Sequence, residues 1–210
     1  MKYEWKKQDK ELYLPKAQPV SIVIPAMKFF TLNGRGNPNS SGFTESIQVL
    51  YSLAYAIKMM PKQGMTPEGY FDYTVYPLEG IWDLTEEGKQ KDFLDKNELI
   101  FTLMIRQPDF VSEGLAQSAI ELTQKKKPHP LLESVKFSSI EDGHCVQMLH
   151  KGSFDDEPAS FGLMVEYCAK NNLKRKSKVH REIYLSDARK TTPEKLNTVL
   201  RIGVEKVTIE

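Results

Sequence analysis

The sequence predicts an α+β protein made as a pseudo-symmetric duplication of a β-α-β-β unit, with an antiparallel sheet, helices on one face and a central ligand cleft. Three observations predict it. Two runs of β-forming residues, Tyr76-Pro77-Leu78-Glu79-Gly80-Ile81-Trp82 and His180-Arg181-Glu182-Ile183-Tyr184-Leu185-Ser186-Asp187, each carry one carboxylate. Each run is preceded by an amphipathic helical pattern, one from Phe43 and one from Phe161, and each helix follows a glycine-bearing break, Leu32-Asn33-Gly34 and Leu149-His150-Lys151-Gly152. Each is followed by a further β-rich run, so the order strand, break, helix, acid-bearing strand, final strand occurs twice, and Glu79 reads as the counterpart of Glu182.

Taken in order, residues 1–18 are polar with scattered apolar anchors at Trp5, Leu12, Tyr13 and Leu14, and they read as an N-terminal extension. The remainder, 19–210, is the domain, with repeats over about 19–108 and 135–210 joined by a helix at 110–127. Val20 to Ile24 and Lys28 to Leu32 are β runs separated by Pro25, which cannot donate to a ladder. Asn33-Gly34-Arg35-Gly36 lacks the G-K-[ST] of a phosphate loop and reads as a strand-to-helix turn. Ser40 or Ser41 can cap a helix whose apolar stripe is Phe43, Ile47, Leu50, Ala54 and Ile57, with Tyr51 and Tyr55 one turn apart beside it.

Tyr70 to Trp82 is a strand candidate in which Glu79 and Trp82 face opposite ways unless Pro77 or Gly80 introduces a bulge. Asp83 to Asn97 is a loop or short helix, and Glu98 to Gln107 is strongly β. The helix at 110–127 turns Val111, Leu115, Ala119 and Leu122 to one side. Strands follow at Val135 to Ile140 and His144 to His150. Asp155-Asp156-Glu157-Pro158 then signals a helix start, and that helix uses Phe161, Met164, Val165 and Cys168. The last strand falls near Thr198 to Thr208. In the run at 180–187, a two-residue repeat puts His180, Glu182 and Tyr184 on one face and Arg181, Ile183 and Leu185 on the other. A carboxylate on a strand is ordinarily solvated. Its recurrence in a second, similar run is what points to a site.

Composition narrows the function. The 29 basic and 28 acidic residues leave a net charge of +1, so no long-range field recruits a polyanion and nucleic acid is not expected as a partner. Lys174-Arg175-Lys176-Ser177-Lys178 lacks interleaved aromatics and reads as a solvated loop. No apolar stretch reaches the roughly 20 residues of a membrane helix and the N-terminus has no apolar signal region, so the expectation is a cytoplasmic protein with no membrane partner. Cys145 and Cys168 sit in apolar runs without ligand spacing, which predicts reduced, buried thiols, with neither metal nor cofactor.

Several segments resemble one family. FFTLNGRGNPN at 29–39, Leu50-Tyr51-Ser52-Leu53-Ala54-Tyr55, Pro77-Leu78-Glu79-Gly80-Ile81-Trp82, Gln147-Met148-Leu149-His150-Lys151-Gly152 and HREIYLSDARK at 180–190 are similar to the GyrI-like small-molecule-binding proteins, relatives of the effector-binding domains of multidrug-sensing regulators. The chain resembles a stand-alone member, without a DNA-binding helix-turn-helix. It departs from the pattern at Asp83, where an aromatic often follows the tryptophan, at Arg181, where a second histidine often stands, and at Ala188, where proline is usual. The resemblance implies a duplicated fold with a cleft lined by aromatics and holding a glutamate. It implies Glu182 and Tyr55 as catalytic residues and Trp82, Tyr184 and Phe154 as ligand-binding walls; Tyr51, one turn from Tyr55, and Glu79, the counterpart of Glu182 in the first repeat, are added as ligand-binding residues on the pattern of the chain itself. One branch of the family is understood to hydrolyse cyclopropanoid DNA-alkylating compounds, which implies an enzyme that adds water to planar aromatic xenobiotics. The alternative is a protein that sequesters amphipathic or cationic drugs without turnover. Flat aromatic walls suit planar ligands, and a carboxylate in low dielectric either binds a cation or carries a proton.

Overall fold

A computed structural model describes residues 2–207. In chain order the elements are α1 (Trp5–Gln8), α2 (Lys10–Tyr13), β1 (Val20–Ile24), β2 (Met27–Arg35), α3 (Ser41–Met59), β3 (Leu78–Leu84), α4 (Glu86–Lys89), β4 (Leu99–Gln107), α5 (Glu113–Lys126), β5 (Lys136–Ile140), β6 (Gly143–Lys151), α6 (Glu157–Lys170), β7 (Leu173–Arg175), β8 (His180–Tyr184) and β9 (Asn197–Lys206). No helix among the described residues is long and apolar enough to cross a membrane. The contacts divide the chain into two units, one of residues 2–5 and 27–140, the other of residues 6–26 and 141–207.

In the first unit the sheet order is β3-β4-β2-β5, all antiparallel. Ser40 caps α3 by accepting from the Phe43 amide, and the helix buries Val49, Leu50, Leu53, Ala54 and Ile57 against β2, β4 and α5. Burying an aliphatic side chain of this size stabilises by about 1.5–3 kcal/mol, so this stripe anchors the unit. β2 does not stop at Asn33 but continues to Arg35, because Gly34 pairs with Phe101 and the Phe101 ring fills the space a Cβ would need, 2.2 Å from its ideal position. The chain turns instead at Gly36, whose φ of +103° suits glycine.

The strand expected from Tyr70 begins only at Leu78. Tyr70, Phe71 and Tyr73 pack edge-on around Phe110, with centroids 5.4–6.1 Å from its ring, and that aromatic cluster replaces a ladder. β3 pairs with β4 in unbroken register from Leu78↔Ile105 to Leu84↔Leu99, so there is no bulge, and Glu79 and Trp82 point to opposite faces. Ser112 caps α5, and the helix buries Ala116, Ala119 and Thr123, with Leu115 and Leu122 only half-buried. The observed stripe is therefore rotated from the expected one, with Ala119 common to both.

The second unit repeats the topology. Its order is β1-β6-β9-β8, with β7 on the far end of β9. α6 covers one face, where Met164, Cys168 and Phe161 meet Val146, Met148, Leu200, Ile202 and Val204. The opposite face is occupied by residues 9–16. Arg201 donates to the Leu12 carbonyl at 2.8 Å, Gln147 donates to the Glu11 carbonyl at 2.6 Å, and the Leu149 amide donates to the Lys16 carbonyl. Beneath that segment Asp142 receives Arg181 at 2.7 Å and Arg201 at 3.4 Å, both guanidinium groups being almost fully buried. The final strand lies within the expected range up to Lys206; Thr208 lies outside the described residues.

Strand register fixes which positions of the two repeats correspond. Gly36 and Gly152 both turn the chain with positive φ, and a helix opens five residues later in each, at Ser41 and at Glu157. The row Trp82–Phe101–Gly34 in the first unit then matches Tyr184–Thr198–His150 in the second, and Gly80–Leu103–Leu32 matches Glu182–Leu200–Met148. The pairing of Glu79 with Glu182 is off by one position. A one-residue shift in a strand reverses the face, so Glu79 lies on the side of its sheet away from α3, whereas Glu182 lies on the side covered by α6.

Candidate functional site

The second unit brings two acids and a histidine together. Glu182, in the middle of β8, is 8% exposed, and its Oε1 lies 3.0 Å from the Nε2 of His180. The two share a face because they stand two residues apart on a strand, as the alternation predicts. Glu157, the first residue of α6, is 7% exposed. Its ligand-capable oxygen, that of Glu182 and the His180 nitrogen all lie within 4.8 Å of one another. Its Oε1 is buried and has no hydrogen-bond partner among the described residues.

Aromatic rings surround this group. Phe161, one turn along α6, meets the His180 imidazole edge-on at 4.9 Å and carries the Arg175 guanidinium on its ring at 5.2 Å. Phe154 and Tyr184 meet edge-on at 6.1 Å, with Phe154 partly exposed. His150, on β6 beneath the helix start, has both ring nitrogens engaged, Nδ1 with the Ser160 hydroxyl and Nε2 with the Ser153 carbonyl, each at 2.9 Å. That pins the turn that aims Glu157.

Burial dominates the electrostatics. Removal from water, then the nearby Glu182 carboxylate, then Asp155, push the Glu157 carboxyl up to about 9. Its place in the first turn of α6 works the other way, but a helix terminus contributes only about 0.3–1 kcal/mol, less than one pH unit, and is overwhelmed. Among the described residues this is the group of His, Cys, Asp and Glu side chains close enough to share an ion. The imidazole nitrogen facing the group is already hydrogen-bonded to Glu182.

The other expected site residues lie in the first unit. Trp82 is buried with Phe43 at 5.8 Å and Phe101 at 5.2 Å, and those two rings meet edge-on at 5.0 Å. Tyr55, on α3, is half exposed, while Tyr51 is half-buried one turn earlier. Glu79 has no exposed surface and faces away from α3. Within the second unit Phe154 meets Tyr184, which stands two residues from Glu182 on the same strand. Glu157 and His180 were not singled out from the sequence. His180 was legible from its two-residue spacing to Glu182, whereas Glu157 was hidden among the acids of a helix start.

A duplicated α+β domain with aromatic clusters and a buried acid pair belongs to the small-molecule-binding class. The chain is a member of the GyrI-like family: its small-molecule-binding domain matches residues 18–205. Among solved structures, a hydrolase from Listeria innocua is 38% identical, with a TM-score of 0.90 over 98% of this chain and 100% of that one. An uncharacterized conserved protein from the same organism is 39% identical, with a TM-score of 0.89 over 97% and 100%. The C-terminal domain of EcmrR, at 15% identity and a TM-score of 0.50 over 93% and 99%, shares the fold. No curated protein matches the chain.

Proposed function

We propose that this GyrI-like protein is a hydrolase that adds water to the strained ring of planar, cyclopropanoid alkylating compounds, with Glu182 as the group that receives the water proton. The observation that carries this reading is the buried Glu182 carboxylate, hydrogen-bonded to His180 and set beside the Tyr184 and Phe154 rings. The fold does not demand an acid there. At the corresponding position of the first repeat stands Gly80, and where the second repeat has Glu157 the first has Ser41. The similarity to a hydrolase from Listeria innocua supports hydrolysis in the same direction.

In such a step the water oxygen bonds to the cyclopropane carbon as the ring C–C bond breaks. Its electron pair moves through the dienone to the carbonyl oxygen, which takes up a proton and becomes a phenol. Glu182 accepts the water proton, and His180, hydrogen-bonded through Nε2 to Oε1, fixes the orientation of the carboxylate. The net change is addition of one water. Within the second unit, the Tyr184 and Phe154 rings, which meet edge-on, are proposed as the stacking surface.

The test is a multiple-turnover incubation of protein with excess cyclopropanoid alkylator in ¹⁸O-labelled water. Several labelled adducts per protein are expected. Retention of unchanged compound at one per protein would contradict the hydrolase and establish the alternative, sequestration of amphipathic or cationic drugs, which the negative charge beside two aromatic rings favours.

A further inference from the structure

Two carboxylates and an imidazole buried together have to be reconciled with their charge. Glu157 and Glu182 are each more than nine-tenths buried, and their oxygens lie within 4.8 Å of one another. Two ionised carboxylates so placed repel each other in a medium that screens poorly, and acid pairs of this kind settle by sharing one proton. The hydrogen bonds decide which member carries it. Glu182 has a hydrogen-bond partner, the His180 imidazole at 3.0 Å. Glu157 has a buried Oε1 with no partner among the described residues, a cost that falls when the group is neutral and rises when it is charged.

We propose that Glu157 is the positioning residue of this site, a carboxyl group that keeps its proton at neutral pH and so leaves Glu182 as the charged member of the pair. The inference rests on the hydrolase reading only for what the charge does. The proton itself is a property of the ligand-free protein.

The surrounding charges agree. From β8 come His180 and Glu182; from the turn before the helix come Asp155 and Asp156, both acidic; from β6 comes His150, held by Ser160 and Ser153; from β7 comes Arg175, whose charge rests on the Phe161 ring. Among the described residues no ion pair joins a cation to Glu157. Desolvation and the Glu182 charge both oppose its ionisation, in that order.

The consequence for function is a single negative charge at the site. A neutral Glu157 lets Glu182 accept a proton from water, and a hydroxyl on Glu157 is a hydrogen-bond donor pointing into the same group. The first repeat, with Ser41 and Gly80 in the corresponding places, has no such pair, so this is a device of the second repeat rather than a requirement of the fold.

The test uses the intact protein without ligand: carbon-13-labelled glutamate carboxyls are titrated by NMR, in the wild type, in Glu157→Gln and in Glu157→Asp. The expected result is one carboxyl that still holds its proton above pH 7, absent in Glu157→Gln and restored in Glu157→Asp. If every glutamate titrates in the ordinary carboxylate range, the proposal is overturned. It is equally overturned if one equivalent of Zn²⁺ or Mn²⁺ binds in a chelator-resistant form and shifts the Glu157 and Glu182 carboxyls together, for then the pair is a metal centre. Where turnover is present, the alkaline limb of the wild-type pH profile is expected to vanish in Glu157→Gln and to persist in Glu157→Asp. A protein that binds its ligand without hydrolysing it would still show the titration, so the two readings fail separately.

Discussion

Glu157 ties the site to the stability of the protein in a way that can be worked through. Its carboxyl has an ordinary value of 4.5 and is raised to about 9 when folded, chiefly by burial and then by Glu182. Between those limits the folded chain holds a proton that the unfolded chain has released. Stability is therefore full below pH 4.5 and is lost progressively as pH rises towards 9, by about 1.4 kcal/mol per pH unit for one proton. From pH 6 to pH 8 the loss attributable to Glu157 is on the order of 3 kcal/mol, or several degrees in Tm for a chain of this size. Glu157→Gln removes the titrating group while keeping its shape. Urea unfolding at half-unit pH steps in both proteins is the assay, and the difference between them isolates Glu157 because His129, His144, His150 and His180 are common to both. The wild type is expected to lose stability more steeply than the variant across this window. Parallel curves would refute the assignment of the proton to Glu157.

Three further outcomes are expected. Asp142→Ala leaves the buried Arg181 and Arg201 guanidinium groups without the carboxylate they share, which is expected to cost about 3–5 kcal/mol in urea unfolding, because an uncompensated buried charge costs more than the pair contributes. Gly34→Ala places a Cβ on top of the Phe101 ring and so disturbs the contact of Phe101 with Trp82 and Phe43; a loss of about 1–3 kcal/mol and a shift in tryptophan emission are expected. Burial pushes the Cys145 thiol up to about 11 and raises Cys168 as well, so neither should react with a thiol reagent at pH 8 until the protein unfolds.

The fold was legible because its signals are local and repeated. The stripe Leu50–Ala54–Ile57, the glycine breaks and the β runs each set an element, and their recurrence gave the duplication. What escaped was register. Glu79 and Glu182 look equivalent as acids in similar runs, yet ladder pairing matches Glu182 to Gly80, and a single position reverses the face of a strand. The strand start was misplaced for a related reason: Tyr70 to Tyr76 alternates like a strand, but Phe110, distant in sequence, gathers its rings into a cluster. The helix-free side of a sheet is the natural place to look for a cleft from pattern alone. In the second unit residues 9–16 occupy that side, and the acid stands under α6. Half of the site was visible as His180, Glu182 and Tyr184 on one face. Glu157 was not, since only tertiary packing separates a buried acid from the solvated ones beside it.

The central claim is that Glu182 acts chemically and is not merely a buried acid of the core. The most direct measurement compares the turnover rate of wild type and Glu182→Gln with a cyclopropanoid alkylator, with circular dichroism to establish that both are folded. The near-isosteric change is expected to leave the fold intact and to lower turnover tenfold or more. Turnover at the wild-type rate in a folded Glu182→Gln protein would remove Glu182 from the mechanism and with it the account of this site.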